Sequence, residues 1–228
     1  MATNLSTKKP SSDRTARPDG PEPPPAHESP ALLTRRERKR REVRDRLYEA
    51  AVSLFTEQGF EETTMDAIGE RADVARATVF NHYPQKVSFL EEWGRRRRSH
   101  VLRVLSAGHV DQEPVEVQLR RYLRELAQLN IVTRDQTLVL MNASWRFGAV
   151  LQDPALGNEL AQIVQTGVAR GEVRATDPAE TGVLLAAGYF STVLRWISAD
   201  PEPFSLPAHI DNVLDIVLRG ILTDQAPS

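Results

Sequence analysis

The sequence predicts an all-α protein, with a small N-terminal unit of three helices followed by a larger helical body. From Thr34 onward, apolar residues recur at the three- and four-residue spacing of buried helix faces, almost without interruption. No run of alternating β-branched residues competes with this pattern. Four prolines also lie where a helix start tolerates a missing N–H group: Pro114, Pro154, Pro178 and Pro207.

Composition narrows the class of protein. The chain has 228 residues, of which 40% are apolar and 26% are charged, as is usual for globular domains. It contains no cysteine, which excludes disulfides, thiolate metal sites and cysteine nucleophiles. No stretch reaches the roughly 18 apolar residues of a membrane span, and no apolar core follows Lys8-Lys9 as in a secretory signal. We therefore expect a cytoplasmic protein with no membrane partner.

Charge is distributed unevenly along the chain. Residues 34–103 carry 16 basic and 12 acidic side chains, whereas residues 104–228 carry 9 basic and 15 acidic ones. A basic front and an acidic remainder indicate that only the front meets a polyanion. Residues 1–33 contain seven prolines and no periodicity, which predicts a disordered tail. The expected division is thus a tail at 1–33, a unit at 34–86 and a body at 87–228.

The N-terminal unit is predicted to contain one long helix and two short ones. The long helix ends at Gly59, where a left-handed residue is needed, and the short helices span 65–72 and 76–82. Thr63-Thr64 caps the first short helix, and Pro84 ends the second. Longer helices in the body are predicted at about 86–107, 113–131, 135–151, 154–170, 178–199 and 207–222.

The two short helices have the pattern of a helix-turn-helix. Ile68, Ala72, Val74 and Val79 supply the contacts between them, and Asp73 occupies the tight turn, where Asp tolerates a positive φ. The second helix of such a motif presents its exposed face to the major groove, where Arg and Asn side chains read guanine and adenine edges. Its outward side chains are Arg76, Ala77, Phe80 and Asn81, flanked by Thr78 and His82.

At these residues the chain resembles the tetracycline-repressor (TetR) family of bacterial regulators. The family's run is approximately Thr-Thr, a helix rich in small residues, Ala-Gly-Val-Ser, Thr-hydrophobic-Tyr-x-His-Phe and a Lys. The corresponding residues are Thr63-Thr64, Ala72-Asp73-Val74-Ala75, Thr78-Val79-Phe80-Asn81-His82-Tyr83 and Lys86. The resemblance covers about residues 40–90. It implies a ligand-responsive repressor that binds a pseudo-palindromic DNA operator as a homodimer.

Three positions depart from the family's pattern. Asp73 replaces the usual Gly, Ala75 replaces the usual Ser, and Phe80 replaces a Tyr whose hydroxyl donates to phosphate. A purely local packing role for His82 is the alternative to a DNA contact. By resemblance, Thr64, Phe80, His82 and Lys86 contact the DNA backbone, whereas Arg76, Ala77, Thr78 and Asn81 read bases or line the groove.

The first helix opens with eight basic residues. Cations at a helix N-terminus oppose the macrodipole, so their placement requires a reason. We favour phosphate contact, with Arg38 and Arg41 as the candidates, because three nearby acids do not neutralise eight bases. A solvated face with i, i+4 ion pairs is the alternative. The eight are Arg35, Arg36, Arg38, Lys39, Arg40, Arg41, Arg44 and Arg46.

A second basic run, Arg95-Arg96-Arg97-Arg98, lies on the helix that connects the unit to the body. Four consecutive helical residues point in four directions, so they do not form one patch. We interpret most of the run as solvated. Arg97 shares a line with Leu90, Trp93 and Val101, and we expect it to pair with an acid of the body.

The body is predicted to bind an effector and to form the dimer. Tyr122, Met141, Trp145 and Phe147 are the pocket candidates, and their surroundings predict an apolar or aromatic small molecule. By resemblance, the last two long helices pack as a four-helix bundle across a two-fold axis. Packing within one chain is the alternative for both sets. The interface candidates are Leu185, Tyr189, Val213, Leu214, Val217 and Ile221.

Two other classes of function, an enzyme and a protein-binding adaptor, are the alternatives. The sequence contains no dinucleotide, P-loop, nucleophile-elbow or zinc-protease motif. Its five histidines are scattered without the carboxylate spacing of a metal cage, so we expect no metal, cofactor or catalytic residue. The outward Arg76 and Asn81 argue against an adaptor.

Overall fold

A computed structural model describes residues 34–148 and 154–221. Within these ranges the chain forms nine α-helices, one 3₁₀ turn and no β-strand, which confirms the all-α prediction. The tail predicted at 1–33 lies outside the described residues. The helices are α1 (Arg35–Gln58), α2 (Met65–Arg71), α3 (Arg76–His82), α4 (Ser88–Ala107), α5 (Val115–Val132), α6 (Arg134–Arg146), α7 (Ala155–Ala169), α8 (Pro178–Trp196) and α9 (Leu206–Ile221), with the 3₁₀ turn Val110–Gln112 before α5.

Helix α1 is fixed at both ends by local interactions. The Thr34 hydroxyl accepts a hydrogen bond from the backbone N–H of Glu37, and the Glu37 carboxylate accepts one from the Thr34 N–H, which forms a capping box. The helix ends at Gly59 with a φ of +91°, as the sequence predicts. Its inward face, which includes Leu47, Ala51 and Phe55, is fully buried. The helix therefore presents one face to the core and its basic face to solvent.

The helix-turn-helix pattern is confirmed by the packing of α2 on α3. Ile68 and Val79 are fully buried between the helices, and Asp73 has the predicted positive φ, +52°. Gly69 permits the close approach, because a Cβ there would lie 3.0 Å from the Val74 carbonyl oxygen and from Val79 Cγ2. The short helices are therefore held at a fixed mutual angle, with the remaining side chains of α3 directed outwards.

A buried carboxylate joins α1 to the start of α4. Glu92, with a side chain only 1% exposed, accepts hydrogen bonds from Arg44 of α1 at 2.9 Å, from Arg95 at 2.5 Å and from Arg96 at 2.7 Å. Arg96 also reaches Asp45 of α1. Burial by itself would raise the pKa of Glu92, but the hydrogen bonds from the three guanidinium groups outweigh it and lower the pKa to about 2. We refer to these contacts as the Glu92 network.

The other two arginines of the run bind the body. Arg97 donates to the Asn130 amide oxygen at 2.6 Å and to the Thr133 hydroxyl at 3.0 Å. Arg98 donates to the Glu159 carboxylate of α7 at 3.2 Å. The expectation of a solvated run is therefore wrong, and Arg97 meets an amide where an acid was expected. The reason is that α4 contacts α1 as well as α5 and α6 of the body. Arginines that point in four directions from this helix therefore all have partners.

The body is built around α5, which contacts α7, α8 and α9. Its core includes Leu119, Leu160, Val193 and Leu214, all fully buried. Predicted boundaries agree to within a few residues, although α6 ends at Arg146 and the last part of the predicted 135–151 helix lies outside the described residues. Among the helices that are described, none combines the length and apolarity that crossing a membrane requires.

The Glu92 network predicts a specific acid sensitivity. Glu92→Gln should lower the free energy of unfolding at neutral pH by about 3 kcal/mol, because it leaves three guanidinium groups without their shared charge. Folding lowers the pKa from its ordinary 4.5 to about 2, so the carboxylate stabilises the fold fully above pH 4.5 and progressively less as the pH falls towards 2. Urea unfolding of both proteins across this range should show the difference shrinking.

The control is Glu57→Gln. The Glu57 carboxylate also pairs with an arginine, Arg71, but both side chains are largely exposed and screened by solvent. Its replacement should change stability little. A Glu92→Gln deficit as large at pH 2 as at pH 7 would contradict the assignment.

Candidate nucleic-acid interface and effector cleft

The exposed face of α3 carries the predicted base-reading residues. Arg76, Ala77, Phe80 and Asn81 are exposed together, and Thr78 is half-buried beside them. These side chains project from one side of the helix because Val79, on the other side, packs fully buried against α2. The arrangement places a guanidinium and an amide on one exposed helix face, as in helices that enter a major groove.

Arg76 does not extend freely into solvent. Its Nη1 forms an ion pair with Asp66 of α2, and its guanidinium carbon lies 5.2 Å from the centre of the Phe80 ring. Asp66 lies in the first turn of α2. The pairing crosses from one helix to the next, which the periodicity of a single helix does not reveal.

Thr64 and His82 lie at opposite ends of the motif. The Thr64 hydroxyl accepts a hydrogen bond from the Ala67 N–H at 3.1 Å, so this residue caps α2 as predicted. His82 ends α3 and is half-buried. Burial, followed by the charges of Arg40 and Arg44, lowers the pKa of His82 below its ordinary value. At neutral pH its ring therefore offers an N–H donor without a positive charge.

Lys86 serves the fold directly. Its ammonium donates to the carbonyl oxygens of Phe60 at 2.6 Å, Glu61 at 2.9 Å and Thr63 at 2.8 Å, and lies 4.7 Å from the centre of the Phe60 ring. All three N–H donors of the ammonium are thus engaged by the loop between α1 and α2. A phosphate contact by Lys86 requires one of these bonds to be given up, a constraint that the sequence does not show.

The basic opening of α1 divides into two groups. Arg38 and Arg41 are exposed and form no ion pair within the described part of the chain. The i, i+4 partner of Arg41, Glu37, is held instead by the cap at Thr34. Arg44 turns inwards to Glu92. The outer arginines thus remain available to phosphates, whereas the inner one is structural.

A cleft lies in the body between α4, the 3₁₀ turn, α5 and α7. We call it the α4–α7 cleft; its volume is about 240 Å³. At its polar end the Tyr122 hydroxyl donates to Glu159, the same carboxylate that accepts from Arg98 of α4. One lining residue of the cleft is therefore bonded to the connecting helix. Its apolar walls are Leu102, Leu105, Val110 and Ile163.

The four predicted pocket residues do not share one cavity. Tyr122 lines the α4–α7 cleft, whereas Met141 is buried in the core. Phe147 is 44% exposed and its ring centre lies 5.2 Å from that of Phe60, beside a separate cavity of about 260 Å³. Trp145 is 49% exposed. The prediction of one pocket formed by all four is thus corrected, because α6 turns its last residues towards α1 and the surface.

The predicted interface residues divide in the same way. Leu185, Tyr189, Leu214 and Ile221 are buried within the single chain, so the structure assigns them to the intrachain core. Val213 and Val217 are half-buried. Helix α9 has one apolar face in the core and exposes a further apolar residue, Ile216. In the sequence, these residues form one continuous apolar run. The exposed apolar residues on α8 and α9 are Val183, Leu184 and Ile216, whereas Val217 packs partly against the core.

The N-terminal part of the chain is similar in sequence to known bacterial regulators. The profile of the family described as "Bacterial regulatory proteins, tetR family" matches residues 47–93. The transcriptional regulator TcmR of Streptomyces glaucescens is 43% identical over 51 residues, and the transcriptional repressor KstR of Mycolicibacterium smegmatis is 40% identical over 50. Each match covers 22% of this chain and only 23% and 24%, respectively, of the relative.

A solved structure extends the similarity to the whole relative. It is FadR of Thermus thermophilus, a TetR-family transcriptional repressor in complex with lauroyl-CoA. The two proteins are 33% identical, and the match covers 81% of this chain and 98% of FadR with a TM-score of 0.63. The similarity therefore includes the helical body as well as the helix-turn-helix.

Proposed function

The chain belongs to the TetR family of bacterial regulatory proteins, and we propose that it is a ligand-responsive repressor that binds a DNA operator as a homodimer. The observation that carries this proposal is the exposed face of α3, where Arg76 and Asn81 stand together. Arg38 and Arg41, both exposed on α1, supply phosphate contacts. Side chains of these types read base edges and position a protein on the phosphate backbone.

The proposal is tested by selecting operator sequences from a random DNA pool and measuring affinity at several salt concentrations. Arg38→Gln/Arg41→Gln should flatten the slope of log affinity against log salt by about 4, because two phosphate contacts in each subunit of the homodimer no longer release counterions. The preferred sequence should not change.

Arg103→Gln/Arg121→Gln is the matched control, since both arginines are exposed on the body. It should leave the slope as in the wild type. An unchanged slope in the Arg38/Arg41 variant would return the opening of α1 to a solvated face, and a wild-type protein that selects no sequence would contradict the function.

We propose that the dimer forms through the outward apolar face of α8 and α9. A palindromic operator needs two recognition helices about 34–36 Å apart, and one chain supplies a single α3. Ile216 on α9 is 75% exposed in the single chain, and Leu184 on α8 is 57% exposed. Burying such a face between two copies removes apolar surface from water, which favours association.

Ile216→Asp should dissociate the dimer while leaving the fold of each chain intact. The substitution places a charge in the proposed interface without disturbing the intrachain core, because the side chain faces solvent in one chain. Sedimentation should show dimer for the wild type and monomer for the variant. Val132→Asp, on an equally exposed valine of α5, should remain dimeric. A dimeric Ile216→Asp protein would reject this face.

We propose that the effector is an apolar molecule held in the α4–α7 cleft. The cleft has apolar walls on α4 and α7, and Glu159 bonds to Arg98 on the connecting helix. Long-chain acyl thioesters are the first class to test, because the similar Thermus thermophilus repressor has lauroyl-CoA bound. The apolar walls of the cleft suit the acyl chain. The described lining includes no Lys or Arg, so the phosphates of coenzyme A would remain outside.

Lauroyl-CoA should release the selected operator, and free coenzyme A should not. Linkage requires operator DNA to weaken lauroyl-CoA binding by the same factor. Leu105→Trp fills the cleft and should abolish release without abolishing DNA binding, whereas Trp145→Leu, outside the cleft, should behave as the wild type. Fluorescence anisotropy of labelled operator measures both. Release from the Leu105→Trp complex would place the effector elsewhere.

A further inference from the structure

The first residue of α3 is a cation in an unfavourable position. Arg76 begins the helix, where the macrodipole opposes positive charge, and the preceding Ala75 provides no side-chain cap. Its side chain is 66% exposed. A long exposed arginine normally samples many rotamers, and fixing it costs conformational entropy. Two contacts nevertheless fix this one.

Asp66 and Phe80 hold the Arg76 guanidinium from two directions. The Asp66 carboxylate pairs with Nη1, and the guanidinium carbon lies over the Phe80 ring, 5.2 Å from its centre. Asp66 is fixed by α2, whose start is capped by Thr64, and Phe80 lies one turn along α3. Both contacts therefore come from rigid helices.

An acid at this position needs an explanation. A carboxylate beside a DNA-binding surface repels phosphates and lowers affinity for any sequence. Its favourable interaction with the α2 macrodipole explains an acid in the first turn. It does not explain why Asp66 is directed at Arg76 across the helix-turn-helix. The ion pair between Asp66 and Arg76 therefore requires a further reason.

The donor geometry of arginine supplies the explanation. A guanidinium has five N–H donors in a planar fork, and a guanine edge takes up only two of them. An acid on one side of the group leaves donors on the other side for O6 and N7. We propose that Asp66 is a specificity-determining positioning residue that, with Phe80, holds Arg76 in the orientation that reads a guanine. This inference rests on the proposed DNA-binding function.

The proposal predicts opposite effects on two DNAs. In Asp66→Asn the hold on Arg76 weakens, so operator affinity falls. Affinity for random DNA rises, because a repulsive charge is removed from the surface. The specificity ratio, which is the Kd for random DNA divided by the Kd for the operator, should fall about tenfold. A change of this size is within the range of one bidentate base contact. A residue that only stabilises α2 would change both affinities in the same direction.

The experiment compares full-length variants on the selected operator and on random DNA of equal length, with circular dichroism to verify the fold. Glu70→Gln is the matched control: it removes an acid from the same helix and surface without touching Arg76, and should leave the ratio unchanged. In the Arg76→Ala background, Asp66→Asn should no longer alter the ratio, because Asp66 acts through Arg76.

Equal changes on both DNAs, or a ratio that falls as much in the Arg76→Ala background, would overturn the proposal. So would a more specific complex of Asp66→Asn, which would make the ion pair a competitor of the operator. A wild-type protein without sequence preference fails the proposed function and this inference together. A wild-type protein that discriminates, with an Asp66→Asn variant that discriminates equally, fails this inference alone.

Discussion

The buried carboxylate of Glu92 is the interaction on which the relation between the two parts of the chain depends. It accepts hydrogen bonds from Arg44 on one helix and from Arg95 and Arg96 on another. A charge removed from water is tolerated only while it stays paired and hydrogen-bonded. Arg95 and Arg96 lie on α4 with Glu92, so separating α1 from α4 would break the pair of Arg44 with Glu92 and the pair of Asp45 with Arg96. The start of α4 is consequently part of the helix-turn-helix unit, although by sequence it belongs to the body.

Because its start is attached to α1, helix α4 links the helix-turn-helix unit to the body. Beyond Glu92, α4 extends over roughly 22 Å at about 1.5 Å per residue, and its later residues contact the body. Arg97 bonds to Asn130, and Arg98 bonds to Glu159 at the polar end of the α4–α7 cleft. Under the proposed function, a molecule bound in that cleft would affect DNA binding only through a difference in its affinity for two positions of α4. Because α4 and α1 are joined, such a displacement would be carried to the helix-turn-helix.

The DNA-facing surface depends on the orientation of individual side chains more than on overall charge. Acids lie close to the recognition helix, and Asp66 pairs directly with Arg76. Lys86 spends its donors on three backbone carbonyls, and His82 is neutral at physiological pH because burial lowers its pKa. Within the described part of the chain, the outer arginines of α1 add positive charge that no carboxylate neutralises. At such a surface, base contacts would depend on how each side chain is held, whereas the outer arginines of α1 would supply the attraction to phosphates.

The sequence by itself determined the helices, the turn at Asp73, the cap at Gly59 and the outward face of α3, because these follow from local backbone preferences and the 3.6-residue period. The tertiary structure decided the rest. It directs Arg95 and Arg96 to Glu92, and Arg97 and Arg98 to the body. It engages Lys86 in the loop before α2. It also decides which apolar residues of α9 are covered within the chain. These outcomes join residues distant in sequence, and a long charged or apolar side chain has the same pattern whether its partner is water, the core or a second subunit. Packing geometry, which no local spacing encodes, makes that choice.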